Sequence, residues 1–250
     1  MNKIQLINTN LLPVIIYYFF FGLIFNFLFV KFAHKEILKW TDSEIANSCS
    51  LIDIKWLLLN FLFVSCFGYA HFKALHLPLD ETLYPKELFR GLIICSWLSL
   101  LIVLAKIDIQ TNLLPDRLTL SLAIIGIVFS LLFEHISLIQ SLGSAFLGFA
   151  FLKVSIYFFI LFKKYVSKDI TNSPGSAFGR GDICLITALG IWVGWETLLI
   201  IVLFSSLIMI TIFTYGCFFY KWDLDKRLPF GPIICLMSIL LGTPQFLRIY

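Results

Sequence analysis

Two aspartates sit at the ends of apolar runs. Asp108 lies in Ile107-Asp108-Ile109-Gln110-Thr111-Asn112-Leu113-Leu114-Pro115-Asp116-Arg117, and Asp182 closes Gly179-Arg180-Gly181-Asp182. An acidic side chain near hydrocarbon is costly, so an ionisable group there is a functional candidate by default. Two carboxyls on one face of a membrane could share a proton. One would then deprotonate a water while the other, still protonated, polarises a carbonyl. Each acid also has a purely structural reading. Asp182 could cap the helix that follows it, and Asp108 could be an interfacial charge paired with Lys106 or Arg117. Asp116 could cap the helix after Pro115.

The elements that position these acids are set by composition. Of the 250 residues, 60% are hydrophobic and 14% charged, and 27 are Phe. The mean hydropathy is +0.94. A soluble domain carries roughly 25% charged residues, so the chain reads as an all-α polytopic membrane protein. The net charge of +4 is scattered and argues for no nucleic-acid partner. The six cysteines form no CxxC pair, and the four histidines form no HExxH pattern, so no metal ligand set is expected. The first apolar run ends in Lys31 without a small-residue cleavage site and reads as a retained span.

Charges and breakers divide the apolar runs into about eight transmembrane helices. They fall near residues 11–31, 55–72, 90–107, 118–136, 138–162, 183–195, 197–219 and 229–248. The long runs break at Glu134-His135 and at Gly194-Trp195-Glu196. With alternating loops, one side holds 13 basic residues: Lys31, Lys35, Lys39, Lys55, Lys106, Arg117, Lys163, Lys164, Lys168, Arg180, Lys221, Lys226 and Arg227. The other side holds 5: Lys3, Lys73, Lys86, Arg90 and Arg248. That excess puts the first side in the cytoplasm and both termini outside. Lys153 falls inside a span and reads as a snorkelling or bundle-facing lysine. In this topology Asp108 ends the third span and Asp182 opens the sixth at the same cytoplasmic face.

The pattern Ile107-Asp108, Leu114-Pro115-Asp116 and Leu118-Thr119 is followed by Gly179, Gly181-Asp182-Ile183, Leu185, Ala188-Leu189-Gly190, Trp192 and Gly194-Trp195. Together these resemble the bacterial type IV prepilin peptidases, membrane aspartic proteases of the GxGD group. Leu228-Pro229-Phe230-Gly231-Pro232 resembles a further segment of that family, and Gly22, Asn26 and Lys31 keep the spacing of its N-terminal stretch. The resemblance implies a division into residues 1–89, an N-terminal membrane region, and residues 90–250, the peptidase core. It implies Asp108 and Asp182 as the catalytic pair, with Gly179, Gly181, Pro115 and Asp116 shaping the site or binding substrate. It also implies type IV prepilins or pseudopilins as substrates, cut at the cytoplasmic face of the bacterial inner membrane.

Two departures from the family pattern matter. The loop after the first span, residues 32–54, holds the single Cys49, where many relatives carry two CxxC pairs. A four-cysteine zinc site cannot be built there, so no metal is expected. S-adenosylmethionine is expected as a cofactor only where the methylation performed by bifunctional relatives is retained; the peptidase step needs none. Cys184 stands where relatives place Lys, and Arg180 or a neighbouring Lys is expected to compensate. Two other function classes share parts of this pattern. One is a proton-coupled transporter component, for which internal repeats would speak and none is seen. The other is a catalytically silent assembly factor of a pilus or secretion machine.

Overall fold

A computed structural model describes residues 3–40, 54–74, 84–133, 136–166, 179–223 and 228–246. Among these the regular structure is helical throughout, in keeping with the all-α reading. The helices are α1 (Lys3–Trp40), α2 (Ile54–Ala74), α3 (Tyr84–Thr111), α4 (Asp116–Phe133), α5 (Leu138–Val166), α6 (Arg180–Tyr220) and α7 (Gly231–Phe246). Five are long and apolar enough to cross a membrane: α1 over Ile16–Glu36, α3 over Lys86–Thr111, α4, α5 over Leu138–Leu161, and α6. The expected break at Glu134-His135 and the thiol of Cys49 lie outside the described residues. Among the described residues Cys66, Cys95, Cys184, Cys217 and Cys235 are all free thiols.

The chain forms two compact units, Met1–Leu118 with Arg227–Tyr250, and Thr119–Lys226. In the first, α3 is the central helix and packs against α1, α2 and α7. Of its apolar window 72% is buried, against 33% or less in the other four long helices. Small residues let these helices approach closely, as is usual where no hydrophobic force drives helices together in lipid. The fully buried Tyr18 of α1 lies between Gly68 of α2 and Gly91 of α3; a Cβ would stand 2.8 Å and 2.0 Å from its atoms, respectively. Arg90, buried in α3, donates from Nη2 to the carbonyl of Phe246 at 3.2 Å. That contact satisfies a carbonyl orphaned at the C-terminal end of α7.

In the second unit α5 packs along α6. Gly190 faces Ser144 and Ala145, its absent Cβ only 2.9 Å from the Ser144 carbonyl oxygen, while Gly148 faces Ile186. The two helices therefore run antiparallel in this stretch. Gly148 also faces Leu198; a Cβ there would be 2.7 Å from Leu198 Cδ2 and 3.7 Å from Ile186 Cγ2. Straight helix from Ile186 to Leu198 would span about 18 Å, too far for both to meet one atom. The chain turns sharply at Gly194, whose φ of 75° and ψ of 168° lie in a region open essentially to glycine. The break expected from Gly194-Trp195-Glu196 is thus a property of the fold. Trp192, just before the turn, donates from its indole to the Leu122 carbonyl at 2.9 Å and stacks on Phe129 at 5.2 Å.

Several boundaries differ from the sequence reading. α1 continues from the expected end at residue 31 to Trp40, because no Gly or Pro intervenes. α3 continues past residue 107 to Thr111, and α6 begins at Arg180 rather than 183. Both shifts change how the key aspartates are held.

Candidate active site

Asp108 lies within the last turn of α3 rather than just beyond it, and it is buried. The helix ends locally, three residues later. Thr111 donates its hydroxyl to the Ile107 carbonyl at 2.8 Å, and Asn112 adopts the left-handed conformation at φ 51°. The Asn112 N–H then bonds the Asp108 carbonyl at 2.9 Å, a helix stop at which Asn is the usual substitute for Gly. This stop aims the Leu113-Leu114-Pro115 segment away from α3. Pro115 is buried, its carbonyl accepts the Leu118 N–H at 3.1 Å, and α4 starts with the exposed Asp116. Pro115 and Asp116 therefore shape the corner directly after Asp108.

The carboxylate of Asp108 meets the start of α7. Its Oδ2 accepts the N–H of Gly231 at 2.9 Å, in a buried contact. Backbone N–H groups at a helix start are otherwise unsatisfied and carry partial positive charge, so a carboxylate is well placed there. A Cβ on Gly231 would lie 2.7 Å from Oδ2, closer than real contacts allow. In the sequence Gly231 belongs to the Leu228–Pro232 segment, which by itself assigns it no role. Glycine followed by Pro232 at the start of an apolar helix was the available signal. Two basic residues flank the site. Lys106 is buried, with Nζ 6.0 Å from the Trp56 ring centroid. Arg117 pairs through Nη1 with Oε1 of the buried Glu36 at 2.9 Å, tying α1 to the start of α4.

Asp182 belongs to the second unit, and its surroundings are those of a helix start. Gly179 is the N-cap of α6, so Asp182 is the third helical residue rather than the cap. Its Oδ2 reaches back to accept the Gly179 N–H at 3.3 Å, the acidic half of a capping box. Gly179 itself is extended, at φ −63° and ψ 149°, which any residue could adopt. A Cβ there would lie 3.4 Å from the Asp182 carboxylate, an ordinary contact. Gly181 lies in the first turn of α6, and Cys184 follows on an exposed position. The remaining motif residues are packing residues: Gly190, Trp192 and Gly194 hold α6 against α4 and α5 and turn it. Among the described residues no three His, Cys, Asp or Glu side chains cluster so as to hold a metal ion.

Residues 95–214 match the type IV leader peptidase family. That stretch contains Asp108, the Pro115 corner, Gly179, Gly181 and Asp182. The chain is 38% identical over 144 residues to a prepilin leader peptidase/N-methyltransferase of Pectobacterium carotovorum subsp. carotovorum, covering 57% of this chain and 47% of that protein. It is 40% identical over 111 residues to one of Klebsiella pneumoniae, covering 44% and 43%. For one of Aeromonas salmonicida the identity is 34% over 145 residues, covering 58% and 45%. The chain thus matches about half the length of these curated relatives. No solved structure matches it.

Proposed function

We propose that this chain, whose residues 95–214 belong to the type IV leader peptidase family, is an aspartic endopeptidase that removes leaders from type IV prepilins or pseudopilins. The observation that carries the reading is the family match, which spans both aspartate motifs in order. Residues 90–250 form its peptidase core. Asp108 and Asp182 are the catalytic pair. Peptide hydrolysis needs one carboxylate to take a proton from the attacking water and the other, protonated, to polarise the scissile carbonyl. Two such acids in reach of one water hold one proton between them and titrate as a pair.

The buried Gly231 N–H on Asp108 and the Gly179 N–H on Asp182 support this reading. Each orients a carboxylate through backbone, which does not titrate and cannot swing away. Gly179 and Gly181 leave room for a substrate strand beside Asp182, and Pro115 with Asp116 shapes the corner beside Asp108. The sharp turn at Gly194 supports counting residues 180–193 and 195–220 as separate spans, which makes eight. With eight spans, the basic-residue excess sets both termini outside and the aspartates toward the cytoplasmic side of the bacterial inner membrane. The peptidase step uses no cofactor in this reading. S-adenosylmethionine would be needed only for methylation, which the short stretch after α1 does not favour.

Co-expression with a type IV prepilin, followed by mass measurement of the pilin N-terminus, tests the proposal. Loss of the leader dependent on this chain is the expected outcome. An uncut precursor beside abundant, inserted protein would overturn it. A further gain of one methyl group would show that the second activity is present.

A further inference from the structure

We infer that Glu36 and Arg117 form a positioning pair for Asp108: the α1 carboxylate holds the guanidinium at the start of α4 and so fixes the corner that lies against the Asp108–Gly231 contact. The inference rests on the peptidase reading and deepens it, giving α1, which lies outside the matched residues 95–214, a part in the reaction. On α1, Tyr18, Gly22, Asn26, Val30 and Ala33 are buried at helical spacing, on the helix that packs against α2 and α3. Glu36 continues that stripe three residues after Ala33, its side chain only 3% exposed. A carboxylate at such a position is costly unless it is paired. Arg117 is the second residue of α4, in the first turn, where the helix dipole disfavours a cation. Each residue is thus poorly suited to its own helix, and the 2.9 Å contact between Nη1 and Oε1 offsets both costs. Local conflicts of this kind are expected where a tertiary contact serves function.

The pair reaches Asp108 through the corner between α3 and α4. Pro115, two residues before Arg117, is buried, and its carbonyl accepts the Leu118 N–H as the chain enters α4. Leu114 beside it lies against the start of α7. Its Cδ1 stands 3.2 Å from the point a Gly231 Cβ would occupy, and Asp108 Oδ2 stands 2.7 Å from the same point. Leu114 and the carboxylate therefore meet Gly231 on one side, and Leu114 shields the 2.9 Å bond from the Gly231 N–H to Oδ2. Asn112, Leu113 and Asp116 are exposed, so little of the corner is held by burial. Releasing Arg117 from Glu36 lets Leu114 move off Gly231 and admits water to the oriented carboxylate.

The test uses full-length protein in proteoliposomes, cleavage of a type IV prepilin with kcat and KM read separately, and thermal unfolding of each variant. Arg117→Met is expected to lower kcat about tenfold or more with KM within about twofold, because about 1 Å of misplacement at a reacting group costs up to about a hundredfold. Arg117→Lys should keep most of kcat. Arg117→Met also takes the guanidinium from a buried carboxylate, so its unfolding temperature should fall. Adding Glu36→Gln removes that charge, and the double variant should regain stability while kcat stays low, since the corner is still untied. Combining Arg117→Met with Gly231→Ala should lower kcat little further than the worse single change, because both act on one contact. Should Arg117→Met fail to fold, Glu36→Gln takes its place: it leaves the mostly exposed guanidinium to water, and a lowered kcat that does not multiply with Gly231→Ala is expected of it. Recovery of kcat together with stability in the double variant would make the pair a structural tie and overturn the inference. So would losses that multiply with Gly231→Ala, or wild-type kcat in Arg117→Met or in Gly231→Ala, and each of these leaves the peptidase reading standing. Failure of wild type to cut any precursor removes both.

Discussion

Replacing Gly231 by Ala separates the catalytic reading from a packing one. The new methyl would stand 2.7 Å from Asp108 Oδ2 and 3.2 Å from Leu114 Cδ1. Ordinary contact begins near 3.4 Å, so carboxylate or backbone must yield by several tenths of an ångström. The buried 2.9 Å bond from the Gly231 N–H is then stretched or lost. A hydrogen bond to a charged group is worth about 1.5–3 kcal/mol. If the transition state depends on that orientation, kcat should fall about ten- to 150-fold. The same change also acts on the fold. Gly231 does not have positive φ, so Ala fits the backbone, but the close approach to Asp108 and Leu114 and the weakened buried bond outweigh the gain of about 0.4–1 kcal/mol through the unfolded chain. The assay is single-turnover cleavage of a purified precursor beside thermal unfolding in the same detergent. The expected result is a large drop in kcat with little change in KM and only a modest fall in the unfolding temperature, with the variant folded at the assay temperature. A variant with kcat within about twofold of wild type would refute the positioning of Asp108 by α7.

Asp108→Asn and Asp182→Asn should each abolish cleavage while the protein remains inserted and abundant, whereas Asp116→Asn should be milder; gel-shift cleavage assays with immunoblots distinguish these outcomes. Equal loss in all three would move the catalytic acid to the Leu114-Pro115-Asp116 corner. Gly194→Ala forces a side chain into a glycine-only conformation and should cost about 1–3 kcal/mol, read as a lowered unfolding temperature. Reporter fusions after residue 110, between 163 and 181 and near 224 should read cytoplasmic, and fusions near residue 80 and at the C-terminus external. A periplasmic reading between 163 and 181 would put the two aspartates on opposite faces.

Much of the frame was legible because membrane helices announce themselves. Apolar runs near span length predict α3, α4 and α5 closely, since in lipid each backbone polar group must be satisfied within its own helix. The break at Gly194 was also legible, because a glycine followed by an exposed Trp195 and Glu196 interrupts an apolar run twice the length of a span. The two aspartate motifs carried the family match that residues 95–214 bear out. Less legible were the helix ends. Asp108 falls inside α3 and Asp182 at the third position of α6, because side-chain bonds at Thr111 and a cap at Gly179 extend each helix beyond its apolar run.

Residue order and type by themselves determined that this chain is helical, membrane-bound and supplied with two acids in peptidase-like motifs. Those properties are local: hydrophobic length, breakers and spacing along one strand of sequence. Only the tertiary structure decided what the acids touch. Gly231 meets Asp108 across 123 residues, and Arg117 meets Glu36 across 81. Such partners depend on which helix ends lie side by side, and that follows from how small residues such as Gly22, Gly68 and Gly91 let the helices pack. The same holds for the register of α5 on α6, which Gly148 and Gly190 set by close approach.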